Sequence, residues 1–150
     1  RLRGEEQAKQ IIREAQRESE GVRSQARIQA EEERNRILSD TRDQIVSLAM
    51  AAAERVVGAG LDEKRQRSII NAFFSEIPAE AKNLGKHVQV VSALPLTEAE
   101  KAEVVKVTGA EQVDYRVDPS ILGGLILRAG DKVVDGSVRG DMTALSTQLR

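Results

Sequence analysis

The sequence predicts an α+β protein. One long extended helix of coiled-coil stalk type, straight or right-handed, leads into a small mixed β-sheet domain with two helices, in the order β-α-β-β-β-α. Three features point there. Residues 5–57 lack proline and are dominated by Ala, Glu, Gln, Arg, Ile and Leu, a composition that favours helix. Residues 58–86 show a shorter helical period between glycine and proline signals. Residues 87–150 turn to short β-rich runs separated by Gly, Pro and Asp. The expected divisions are therefore a stalk helix (1–57), a helical hairpin or linker (58–86) and a terminal α/β domain (87–150).

About 50 helical residues span roughly 80 Å, far more than a small domain can cover. The helix therefore stands in solvent or lies against a partner. Its seam runs through Ala8, Ile12, Ala15, Ser19, Val22, Ala26, Ala30, Glu33, Ile37, Thr41, Ile45, Leu48, Ala52 and Val56. The mean step is about 3.7 residues, nearer the 11-residue repeat than the heptad, hence a straight or weakly right-handed supercoil. Ala15, Val22, Ala26, Ala30 and Ile37 are the candidate contacts for a second helix. Glu5 with Lys9 and Glu32 with Arg36 stand four apart. Glu14 with Arg17, Glu20 with Arg23 and Glu31 with Arg34 stand three apart, and all five pairs could support a helix. Through Val57 there are 11 basic and 11 acidic residues. That balance argues against nucleic acid, which demands a basic face. Gly4 and Gly21 are expected soft points.

Gly58 and Gly60 are expected stop signals, and Asp62 an N-cap for a second helix packed near the end of the first. Ile69, Ile70, Phe73, Phe74 and Ile77 mark its apolar face. Pro78 breaks or restarts it, and Gly85 ends it. His87–Ala93 reads as a strand. Thr97 and Glu100 form a capping box, and Ala99, Ala102, Val104 and Val105 are the expected buried face of the helix they open. Gly109 stops that helix. Residues 113–117 alternate as a strand that Pro119 ends. Residues 125–129 and 132–135 flank Gly130-Asp131, a two-residue type II′ hairpin signal. Residues 138–149 close the chain as a helix. The β-α-β part should be a right-handed crossover. Gly123, Gly124, Gly130 and Gly136 are expected turn positions, needed for backbone reasons.

Chemistry is sparse. The chain has no cysteine, one histidine and three aromatic residues, which removes disulfides and thiol chemistry and disfavours a transition-metal site. Gly123-Gly124 and Asp135-Gly136-Ser137 match no phosphate-loop pattern. Asp114, Asp118, Asp131 and Asp135 stand at strand ends and turns, where Asp serves the backbone. His87 has no partner at a recognisable spacing. No catalytic, cofactor-binding or metal residue is expected, and no cofactor. No apolar run approaches the ~20 residues of a membrane helix, and no signal peptide is visible. The chain opens on Arg1-Leu2-Arg3 with the helical pattern already under way, which predicts further chain upstream.

Residues 117–140, Val-Asp-Pro-Ser-Ile-Leu-Gly-Gly-Leu-Ile-Leu-Arg-Ala-Gly-Asp-Lys-Val-Val-Asp-Gly-Ser-Val-Arg-Gly, resemble the C-terminal signature of subunit delta of F-type ATP synthases. The likeness extends to the preceding strand and to Leu94-Pro95-Leu96-Thr97, about the last 60 residues in all. The stretch from Leu48 to Gly58, followed by Leu61-Asp62, looks like the end of subunit b of the same enzyme. The two resemblances imply a b–delta fusion in the peripheral stalk: a non-catalytic stator that holds the catalytic head against rotation. They also imply partners: a b-type helix, from a second copy or a paralogue, the alpha/beta head, and the membrane sector through an upstream membrane helix. The implied place is the cytoplasmic face of a bacterial plasma membrane. Leu145 and Leu149 are the candidate head contacts. The N-terminal helical bundle of ordinary delta is not recognisable. A free-standing coiled-coil adaptor or chaperone-like interaction protein is the alternative that the same features allow.

Overall fold

A computed structural model describes residues 2–150. The chain divides into two compact units, Arg1–Ile45 and Val46–Arg150. The architecture is the expected α+β one: a long N-terminal helix and a small mixed four-stranded sheet with helices.

Helix α1 covers Leu2–Gly60. It runs unbroken through Gly4, Gly21 and Gly58, because isolated glycines weaken a helix without breaking it. It ends at Gly60, whose carbonyl accepts a hydrogen bond from the Arg65 guanidinium. Among the described residues of the first unit, one ion pair forms: Arg36 with Glu33 at 2.7 Å. None of the five pairs expected from spacing closes. Exposed side chains gain little by exchanging water for each other.

Helix α2 (Glu63–Ser75) starts as expected, with the Asp62 carboxylate accepting from Arg65 N. It stops at Ser75, earlier than expected. Pro78 disfavours helix at the residue before it, and the chain instead makes a 3₁₀ turn over Ala79–Ala81. Gly85 thus ends no helix; Asn83 takes the positive φ in this connection. Strand β1 (His87–Ser92) leads to helix α3 (Glu98–Thr108), with the Thr97–Glu100 capping box closed and Gly109 left-handed at its C-cap. Strand β2 (Gln112–Val117), a 3₁₀ turn with Pro119 first, strands β3 (Gly124–Ala129) and β4 (Lys132–Ser137), and helix α4 (Val138–Leu149) follow.

The sheet order is β2-β1-β3-β4. β1 is parallel to β2 and antiparallel to β3, and β3–β4 is a hairpin with Ala129 opposite Lys132. Gly130 sits at φ +60° in its turn, and Asp131 keeps negative φ, as type II′ requires. Ile70 and Phe73 of α2 and Val104 of α3 bury against Val88, Val90, Leu125, Leu127 and Val134 on one sheet face. A smaller cluster, Val91, Ala93, Ile121 and Ile126, occupies the other.

The buried face of α3 is not the expected one. Ala99, Ala102 and Val105 are exposed, whereas Glu100, Val104 and Thr108 are buried. The reason is Glu100. Its Oε2 accepts from Thr97 N at 2.8 Å and from the Arg67 guanidinium of α2 at 2.7 Å. A capping carboxylate that also ties two helices together must face inward, and it rotates the apolar stripe with it.

Gly136 is also misplaced by sequence reasoning. It lies inside β4 opposite Leu125, not at a turn. The Phe73 ring packs where its side chain would be, within 2.6 Å of a Cβ.

Candidate interaction surfaces

The first surface lies on α1. Every described residue up to Ile45 is exposed, including Ala15, Val22, Ala26, Ala30 and Ile37. Val22 is 64 % and Ile37 54 % exposed. The structure adds Ile11 and Leu38, beside Ile12 and Ile37, to the open apolar side chains. Neither fits the strict 3.7-residue step, so the stripe is wider than the seam that periodicity identified.

The second surface belongs to the other unit. Arg139 of α4 donates to Ser120 O at 2.6 Å and to Glu54 of α1 at 3.3 Å. Arg150 donates to Ser47 at 3.4 Å. Residues 139 and 150 thus meet 54 and 47, so α4 lies antiparallel to the end of α1. The start of α4 is fixed by Val138 N donating to Gly123 O. Along α4, Val138, Met142 and Ser146 are half-buried at four-residue steps. The neighbouring step, Leu145 and Leu149, stays about half exposed, and Leu48 and Val56 of α1 are more exposed still. The inward row thus ends on a serine, and the two leucines of the helix are left outside it.

The sheet domain supplies little chemistry. His87 does have a partner: its Nε2 lies 2.7 Å from Asp114 Oδ2 across the β1–β2 pair. A separation of 27 residues hid the contact, which only parallel strand register creates. Both side chains are exposed. Asp118 accepts from Ser120 N and Oγ, and Asp135 likewise from Ser137 N and Oγ. The Ser120 hydroxyl first, then its N–H, holds the Asp118 carboxyl below its ordinary value. Burial chiefly, with Glu98 adding, raises the Tyr115 phenol against the opposing pull of Lys101. Among the described residues, no three His, Asp or Glu side chains gather as a metal site would need. The surface depressions are shallow. One of about 350 Å³ is lined by Glu80, Leu84, Lys132, Val133 and Val134.

Residues 61–149 match the family model described as the ATP synthase delta (OSCP) subunit. The chain belongs to the ATP synthase delta (OSCP) subunit family. Curated relatives agree. The ATP synthase subunit delta of Nostoc punctiforme is 34 % identical over 97 residues, covering 59 % of this chain and 53 % of the relative. That of Alcanivorax borkumensis is 41 % identical over 86 residues, covering 54 % and 48 %. That of Tolumonas auensis is 28 % identical over 135 residues, covering 74 % and 76 %. The chain thus spans about half the length of the first two relatives. Delta-family subunits are structural and non-catalytic. The delta match opens at Leu61, the residue after α1 ends.

Proposed function

We propose that this chain is a stator strut in the peripheral stalk of a proton-translocating F-type ATP synthase, with a b-type helix fused to a delta-type terminal domain. The observation that carries this proposal is the junction at Gly60 and Leu61. A delta-family domain follows directly on a 59-residue helix whose described residues up to Ile45 bury nothing. A helix of that length measures about 90 Å. In a rotary synthase the head must be kept from turning with the rotor, and a stiff helix ending in a compact domain suits that task without any nucleophile, metal or nucleotide.

In this proposal the stalk helix (1–57) pairs in parallel with a second b-type helix through Ala15, Val22, Ala26, Ala30 and Ile37. The linker (58–86) and the α/β domain (87–150) form the head end. Leu145 and Leu149 meet the alpha/beta head. The membrane sector is reached through chain upstream of Arg1, at the cytoplasmic face of a bacterial plasma membrane. The decisive experiment removes residues 61–150 from the full-length protein in its native membrane. Proton-coupled ATP synthesis should be lost while the head continues to hydrolyse ATP. Coupling that survives the deletion overturns the strut function.

A further inference from the structure

Two residues, Leu61 and Asp62, join α1 to α2. The bonds at this joint act close to the pivot: the Arg65 guanidinium donates to Gly60 O, and Gln66 Nε2 to Leu61 O at 3.4 Å. A contact resists turning in proportion to its distance from the pivot, so the direction of the end of α1 is decided farther back. Arg139 meets Glu54, seven residues before Leu61, and Arg150 meets Ser47, fourteen before it. At 1.5 Å per residue those contacts stand about 10 and 20 Å from the joint.

One face of this end is held. Val46 is buried, and Met50, Ala53, Glu54 and Val57 follow it half-buried at helical spacing. They answer the half-buried row Val138, Met142 and Ser146 of the antiparallel α4. Leu48, Ala52 and Val56, on the other side of α1, stay exposed. The hold is thin. No residue of α4 is fully buried, so little apolar area opposes its separation. Arg139 concentrates what remains. Its Nε donates to Ser120 O at 2.6 Å and its Nη2 to Glu54 at 3.3 Å, so one side chain ties α4, the 3₁₀ turn after β2 and α1. Ser120 is itself held by Asp118. The sheet does not need α4 for its core: neither apolar cluster draws a residue from 138–149.

We propose that α4 is a clasp, with Arg139 as its latch, that fixes the direction of residues 46–60 against the sheet and opens without unfolding it. The inference stands on the fold and not on the stator reading; in the proposed strut the clasp sets how stiffly load passes from helix to domain.

The two methionines of the chain, Met50 and Met142, both lie in this contact and report on it. Dilute hydrogen peroxide oxidises an accessible thioether to the sulfoxide and is reduced to water, and mass spectrometry times each site. In the full chain, Arg139→Ala should speed oxidation of both by about fivefold, the factor a part-exposed ion pair supplies. Glu54→Ala, which leaves the Ser120 bond in place, should act in the same direction and by less. The chain has no cysteine, so Arg55→Cys and Lys132→Cys, both at exposed positions, take spin labels without background. Their distance distribution should be narrow with the clasp intact and broaden in both variants, while the thermal transition of the sheet stays in place. Unchanged oxidation and distances in both variants, or faster oxidation only together with loss of that transition, overturns the proposal. Coupled ATP synthesis enters neither readout, so failure of the strut function is distinguishable from failure of the clasp.

Discussion

The residues up to Ile45 and the domain from Val46 to Arg150 differ in where their order comes from. The described residues of the first unit are all helical, yet they bury no side chain. Its conformation rests on local propensity and hydrogen bonds between successive turns. The second holds a core in which Ile70, Val88, Val90, Leu125 and Leu127 are almost fully enclosed, and its order rests on pairings distant in sequence. A substitution in the first unit should act locally and only when a partner is present. A substitution in the second should act on the whole domain.

The largest effect is expected at Gly124, which has φ +82° and a backbone in the way. A Cβ there would collide with Gly136 O and stand 3.0 Å from Ser137 Cα, and neither strand can yield without breaking the hairpin. Gly124→Val should cost at least about 3 kcal/mol. Calorimetry should show the domain transition lost while far-UV helicity of α1 persists. A melt matching wild type would show that this corner is not fixed by its backbone.

Next comes Ile70→Ala, which empties a site that is 1 % exposed. Burial of this kind is worth about 2–5 kcal/mol. Urea unfolding of the domain should shift accordingly, whereas Ile37→Ala in the isolated chain should leave the same curve in place. Equal shifts would erase the distinction between the units.

Glu100→Ala should cost about 1–3 kcal/mol, since it removes the closer carboxylate of the part-buried Arg67 guanidinium, leaving the exposed Glu63 at 3.4 Å, and opens the cap. Glu100→Gln should recover part of the capping term and none of the charge. Equal losses in the two variants would put the whole effect on the ion pair.

Ala26→Asp should leave the domain melt unchanged and weaken helix association by a few tenths to ~2 kcal/mol, depending on burial. Sedimentation at several concentrations measures it. A rod that is monomeric and fully helical at high concentration would remove the pairing proposal.

The smallest effect concerns pH. The folded-state pKa of Asp118 lies below that of the unfolded chain, chiefly through the Ser120 hydroxyl. Its contribution is complete above the unfolded value, about 4, and fades as pH falls through the folded value. NMR titration of the Asp118 carboxyl should show the depression shrink in Ser120→Ala, which removes the hydroxyl and keeps the N–H donor. An unchanged titration would place its cause elsewhere.

Much of this architecture is legible in the sequence, because caps and turns are local codes. Asp62, Thr97 with Glu100, Gly109 and Gly130-Asp131 each act within a few residues of themselves, and each stands where expected. What escaped is non-local. His87 with Asp114 depends on β1–β2 register, and the inward turn of Glu100 depends on Arg67 in another helix. Gly136 resembles a turn glycine until Phe73 is seen above it. For the surfaces, spacing identified a stripe that the structure leaves open, and it missed Ile11 and Leu38 because they break the period. Shape can show that a face is bare; it carries no name for what covers it.

The place of β1 in the sheet has a consequence for synthesis. β1 is central, but its neighbours arrive in sequence on opposite sides: β2 by residue 117 and β3 only by residue 129. At about 5–20 residues per second, the end of β3 follows the end of β1 by roughly 2–7 seconds. The β3–β4 hairpin then closes in microseconds. During that interval the β3-facing backbone groups of Gln89 and Val91 wait without their antiparallel neighbour, and chains truncated after residue 117 should show β1 as a protease-sensitive strand. The translation clock, more than any folding barrier, sets how long the heart of this domain lies open.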